Sequence, residues 1–147
     1  MQTEIITHAA AETEALGARL AASLREAGVR RAFVAFYGEM GVGKTAFVRG
    51  FALALGAKAT RSPTYTVVNE YKTDDLPIFH FDLYRIADAD ELYAIGFEDY
   101  LSRDGYCLCE WSENGEGELP EGRISVTISR MAENENDRRI LIEGALL

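Results

Sequence analysis

The sequence predicts an α/β protein with a mixed, mostly parallel sheet flanked by helices and an antiparallel hairpin in that sheet. Three observations carry this expectation. An apolar run, Ala32–Tyr37, feeds a glycine-rich loop, and an apolar helical stretch (Phe47, Val48, Phe51, Leu53, Leu55) follows it. Two further apolar runs end abruptly in a carboxylate, at Asp82 and at Glu110. Finally, the segments around 67–72 and 78–84 read as strands joined by Thr73-Asp74-Asp75-Leu76-Pro77, which is a turn composition.

Taken in order, Thr3–Thr7 alternates as a short strand. Ala10–Ala27 is Ala-, Leu- and Glu-rich, with Leu16, Leu20 and Leu24 at helical spacing and Gly28 as its stop. Arg31–Tyr37 is a strand apolar enough to be covered on both faces. A helix from Lys44 to Leu55 stops at Gly56. Ser62-Pro63 marks a loop that then extends, because a residue before proline is pushed out of the helical region. In the strand Ile78–Tyr84, the side chains of Ile78, His80, Asp82 and Tyr84 share one face, and Phe79, Phe81 and Leu83 share the other. Asp88-Ala89-Asp90-Glu91 opens a helix with acids at its positive end. Gly96 breaks it before a short helical turn, Phe97–Leu101. Tyr106–Cys109 is a buried strand, Gly115–Gly122 a loop and Ile124–Ile128 a strand. Asn134–Asp137 reads as a turn before a last strand, Arg138–Glu143.

At 147 residues the chain is read as one domain, 1–147. Its 15 Lys and Arg against 24 Asp and Glu leave a net charge of −9, which argues against tight unaided binding of nucleic acid. Arg25, Arg30 and Arg31 form a local basic group, for which a solvated helix end is the favoured reading. Cys107 and Cys109 fall on one face of a strand, a poor geometry for a disulfide and too few ligands for zinc. Buried reduced thiols suit a cytoplasmic protein. No apolar run approaches the roughly 20 residues of a membrane span, and the N-terminus lacks the basic start of a signal peptide.

The loop Gly38-Glu39-Met40-Gly41-Val42-Gly43-Lys44-Thr45 is G-x-x-x-x-G-K-T, the phosphate-binding P-loop. Its glycines let backbone N–H groups face an anion. Gly41, Val42, Gly43, Lys44, Thr45 and Ala46 are therefore the candidate nucleotide-binding residues, with Lys44 as a point charge on the phosphates and the Thr45 hydroxyl on Mg²⁺. Such a site needs an acid opposite the loop. Asp82 and Glu110 are the two candidates, each ending an apolar strand. In Ser62-Pro63-Thr64-Tyr65-Thr66 a threonine could sense the γ-phosphate, and an ordinary Ser-Pro turn is an equal alternative. His80 is either a proton carrier or, as favoured, a hydrogen-bonded structural histidine. Arg85 is a phosphate clamp or a salt-bridge partner, and Trp111 packs near the nucleotide, in the core or at a partner surface. For Arg138 and Arg139 a solvated turn is favoured. A GTPase fits poorly, since Asn69-Glu70-Tyr71-Lys72 is not Asn-Lys-x-Asp and Asp82-Leu83-Tyr84-Arg85 lacks the glycine of a GTPase switch. No arginine-dense lid of a nucleotide kinase is present.

Together, the P-loop, Ser62-Pro63-Thr64-Tyr65-Thr66-Val67-Val68-Asn69-Glu70-Tyr71, His80-Phe81-Asp82-Leu83-Tyr84-Arg85 and Glu110-Trp111-Ser112-Glu113 resemble the TsaE (YjeE) family, bacterial ATPases of tRNA threonylcarbamoyladenosine (t6A) biosynthesis. The resemblance runs from about Leu16 to Pro120; beyond Pro120 the match is one of style. It implies P-loop NTPase topology, ATP or ADP with Mg²⁺, and Thr45 and Glu110 as metal ligands. Asp82 and Lys44 would serve catalysis, and Ser62 and Thr64 a switch, with Thr64 also catalytic. It further implies a weak or partner-activated ATPase that works with TsaD-like and TsaB-like proteins and meets tRNA through that complex. Such a subunit resets or regulates the transferase and does not transfer the threonylcarbamoyl group itself. One departure is the cysteine pair before Glu110, where the family usually carries aliphatic residues.

Two other readings share these features. One is a nucleotide-gated docking module with incidental hydrolysis. The other is a small-molecule P-loop kinase with Asp82 as base, which would need an acceptor pocket and lid that no segment suits.

Overall fold

The computed structural model describes residues 2–39, 41–58 and 67–145. Its strands are β1 (Gln2–Thr7), β2 (Arg31–Tyr37), β3 (Val68–Tyr71), β4 (Ile78–Asp82), β5 (Gly105–Glu110), β6 (Ile124–Met131) and β7 (Asn134–Glu143). The helices are α1 (Ala10–Glu26), α2 (Lys44–Ala54), α3 (Ala89–Ala94) and α4 (Phe97–Ser102). Among the described residues the strands form one seven-stranded sheet in the order β1-β7-β6-β2-β5-β4-β3. β6, β2, β5 and β4 pair in parallel, whereas β3, and the β1–β7–β6 group, pair antiparallel. Five strands therefore share one direction, and β3 and β7 oppose it. The expected mixed sheet and the β3–β4 hairpin are both present.

Alternation along the central strands builds two cores. Val34, Phe36, Ile78, Leu108, Val126 and Ile128 point to one face, where Leu16, Leu20 and Leu24 of α1 and Phe47 and Phe51 of α2 cover them. Phe33, Ala35, Phe79, Phe81, Cys107 and Cys109 point to the other, against Leu92, Phe97 and Leu119. Both cysteines are buried free thiols, and burial pushes Cys107 up to about 12. α1 and α2 pack at backbone distance. A Cβ built on Gly50 would lie 1.8 Å from the Glu14 carbonyl oxygen, and one on Gly17 would lie 2.1 Å from that of Phe47.

Three boundaries differ from the sequence expectation. Asn134–Asp137 is not a turn but the start of β7; the chain reverses at Ala132–Glu133, with Met131 opposite Asn134. A ladder uses backbone groups, so polar side chains are tolerated wherever they reach solvent, and Asn134–Glu135–Asn136 are exposed. β4 stops at Asp82 rather than Tyr84. The Leu83 N–H crosses to the Glu110 carbonyl at 3.1 Å, and the Tyr84 N–H turns back to the Asp82 carboxylate at 2.9 Å. The 3-10 turns of Ser112–Glu118 run into the first half of the expected loop 115–122.

The parallel strands β2, β4, β5 and β6 all end at one edge of the sheet, and the crevice outside the carboxyl ends of such strands is where α/β sheets bind ligands.

Candidate functional site

At that edge β2 runs through the glycine loop into α2. The residue before the helix, Gly43, has φ 117°, a conformation side chains resist. No side chain caps α2 and no acid occupies its first turn. Its leading N–H groups, from Lys44, Thr45 and Ala46, are thus available to an anion at the positive end of the helix. Val42 is fully buried and anchors the loop, while Gly41 and Thr45 are exposed.

Lys44 is 7% exposed, its Nζ donates to the Gly38 carbonyl at 3.1 Å, and it stands 5.3 Å from the centroid of the Trp111 ring. Trp111 holds φ 57°, the one positive φ outside glycine among the described residues, and its ring meets that of Tyr84 at 4.8 Å. Trp111 is therefore a neighbour of Lys44, and it also packs against the core around Phe81 and Leu83.

Asp82 and Glu110 are register partners at the ends of β4 and β5. Burial raises the Asp82 carboxyl above its ordinary value, opposed by the Tyr84 N–H bond. Nearby Glu110 pushes it further up, and His80 and Lys44 pull it down. These charges place Asp82, Glu110, His80 and Lys44 in one electrostatic neighbourhood. His80 is buried, with Nε2 2.6 Å from Glu110 Oε2 and Nδ1 2.7 Å from the Tyr71 hydroxyl. It is hydrogen-bonded at both ring nitrogens, one of them to the candidate acid Glu110. Ser62 and Thr64 lie outside the described residues.

Other candidates fall elsewhere. Arg85 is exposed and makes no ion pair among the described residues. Arg30 and Arg31 both pair with Asp104 at the opposite edge, leaving a solvated group there. Arg139 pairs with Glu4 at 3.0 Å. Arg138 corrects the solvated-turn reading: its Nε donates to the Val42 carbonyl at 2.8 Å and its Nη1 to the Asp137 carbonyl at 2.8 Å. Arg130, its register partner, pairs with Glu39 of the loop at 2.8 Å. Sequence reasoning passed over Tyr71 as well. The signal for both residues is pairing register, which no local pattern displays.

Among the described residues no three His, Cys, Asp or Glu side chains converge as a metal cluster. Mg²⁺ bound with a nucleotide needs only one or two protein oxygens, the rest coming from phosphates and water. The hard oxygens of Thr45 and Glu110 suit that demand.

Residues 7–140 match the family model of the threonylcarbamoyl adenosine biosynthesis protein TsaE. The chain belongs to the TsaE family. The match continues past Pro120, further than the sequence resemblance reached, and takes in Arg130 and Arg138. TsaE of Haemophilus influenzae is 49% identical over 92 residues, 62% of this chain and 58% of that protein. TsaE of Bacillus subtilis is 39% identical over 101 residues, 68% of this chain and 63% of that protein. The aligned stretch thus spans under two thirds of either relative. TsaE of Treponema pallidum is 31% identical over 133 residues, 90% of this chain and 95% of that protein. All three bear the name tRNA threonylcarbamoyladenosine biosynthesis protein TsaE. The crystal structure of Bacillus subtilis YdiB superposes with a TM-score of 0.77 at 30% identity, covering 97% of this chain and 84% of that one. The expected α/β fold is thereby matched by a solved structure.

Proposed function

We propose that this TsaE-family chain is the ATP-binding and ATP-hydrolysing subunit of a t6A-forming complex, acting in the cytoplasm with TsaD-like and TsaB-like partners. The observation that carries the nucleotide reading is the joint placement, at one sheet edge, of an uncapped α2 N-terminus, buried Lys44, and the strand-ending acids Asp82 and Glu110.

In this reading the N–H groups of residues 41–46 and the Lys44 ammonium hold the phosphates. The Thr45 hydroxyl and the Glu110 carboxylate hold Mg²⁺, which when bound neutralises charge on the β- and γ-phosphates. Asp82 orients the attacking water; burial raises its basicity, which favours accepting a proton as water adds to the γ-phosphorus and ADP departs. Thr64 reports the γ-phosphate toward the partner surface. Catalysis of this kind rests on positioning and charge. The chain's −9 charge supports tRNA contact through the complex rather than by this chain alone.

Single-turnover hydrolysis of ATP, with and without the partners, tests the proposal. Slow turnover alone and a rise of about tenfold or more with partners, a loss of roughly 1.4 kcal/mol or more from the barrier, is expected. Absence of hydrolysis under both conditions would contradict it and favour a docking module.

A further inference from the structure

β3 is an edge strand, yet its last residue, Tyr71, is only 6% exposed. Its hydroxyl meets Nδ1 of His80, and the other end of the same imidazole meets Glu110. An ionised carboxylate can only accept, so Nε2 of His80 carries a proton toward Glu110. The other ring nitrogen, Nδ1, shares a hydrogen bond with the Tyr71 hydroxyl at 2.7 Å. The ring plane is held from both ends, in a ring that is 3% exposed. A carboxylate gripped at one oxygen by a buried donor has the directions open to its other oxygen restricted. The same strand region also engages the second acid's backbone, since the Asp82 N–H donates to the Val67 carbonyl at 2.9 Å.

We propose that Tyr71 and His80 form a two-bond positioning relay that orients the Glu110 carboxylate for the divalent cation of the bound nucleotide. The inference rests on the reading of Glu110 as a metal ligand given above. His80 and Tyr71 touch neither metal nor nucleotide; they act through Glu110.

The test uses Mn²⁺ as probe, titrated into the full chain with ADP bound and followed by electron paramagnetic resonance, with ADP affinity measured separately in EDTA. His80→Leu removes both bonds, Tyr71→Phe removes only the hydroxyl, and His80→Gln restores an N–H donor near the Nε2 position. Outer-shell partners are typically worth about 10–100-fold in metal affinity, so His80→Leu is expected to weaken Mn²⁺ binding by about tenfold or more. Tyr71→Phe is expected to show a smaller loss, and His80→Gln to recover most of the His80→Leu loss, with ADP affinity in EDTA unchanged throughout. Unchanged Mn²⁺ affinity in Tyr71→Phe and His80→Leu would overturn the relay and leave the nucleotide site standing. If His80→Leu does not fold, Tyr71→Phe decides alone. Unchanged Mn²⁺ affinity in Glu110→Ala would remove the relay's object and overturn both readings, whereas failure of the wild-type chain to bind ADP would overturn the proposed function itself.

Discussion

Arg138 Nε donates to the Val42 carbonyl at 2.8 Å, so β7 is hydrogen-bonded to the glycine-rich loop. The guanidinium is also tied to the carbonyls of Glu135 and Asp137, which fixes it on its own strand. Hydrogen bonds to charged groups are worth about 1.5–3 kcal/mol, and 1.4 kcal/mol is tenfold in affinity. Arg138→Met is therefore expected to weaken ADP binding by roughly tenfold in calorimetric titration. Arg139→Met, one residue on and paired with Glu4, should leave it unchanged.

Lys44 rests against the only tryptophan of the chain. Phosphates that draw the ammonium toward themselves alter the charge over the indole ring. Adding ADP should change Trp111 emission in the wild type and leave it unaltered in Lys44→Ala.

Asp82 pays for its position in stability. Its folded-state pKa is raised, chiefly by burial, so the carboxyl favours the folded state only when protonated. That contribution is complete below the ordinary value of 3.8 and is lost as pH rises through the raised value. Asp82→Asn keeps an oxygen for the Tyr84 N–H. Its melting temperature should exceed that of the wild type at pH 7, and the difference should shrink as pH falls toward 3.8.

Gly50 lets α1 lie against α2, and α2 in turn presents the phosphate loop. A methyl group there would sit 1.8 Å from the backbone oxygen of Glu14, which cannot swing away. Overpacking typically costs about 1–3 kcal/mol, and backbone contact puts Gly50→Ala at or beyond the upper end. A thermal melt should show a loss on the order of 10 °C.

The strand–loop–helix unit from Arg31 to Ala54 was legible in sequence because its signals are local: an apolar run, two glycines at fixed spacing before Lys-Thr and a helical repeat. Asp82 and Glu110 were legible for a related reason, since an apolar strand that ends in a carboxylate announces its own boundary. Arg138 and Tyr71 were not legible, because their roles depend on which residue stands opposite which. Arg138 faces the loop only because β6 and β7 reverse at Ala132–Glu133, with a register shift at Arg130–Met131. A slip of one residue would turn it to the other face. The same polar run that suggested a turn at Asn134–Asp137 concealed that register. Trp111 was visible as a candidate, but its left-handed backbone, which aims the ring under Lys44, follows from packing against Tyr84 and the site.

The central claim is that this loop holds a nucleotide through Lys44. Calorimetric titration of ATP with Mg²⁺ into the wild-type chain and Lys44→Ala, both shown folded by circular dichroism, tests it most directly. Saturable binding by the wild type that is abolished in Lys44→Ala is the predicted result; equal ATP affinity in the two proteins would contradict it.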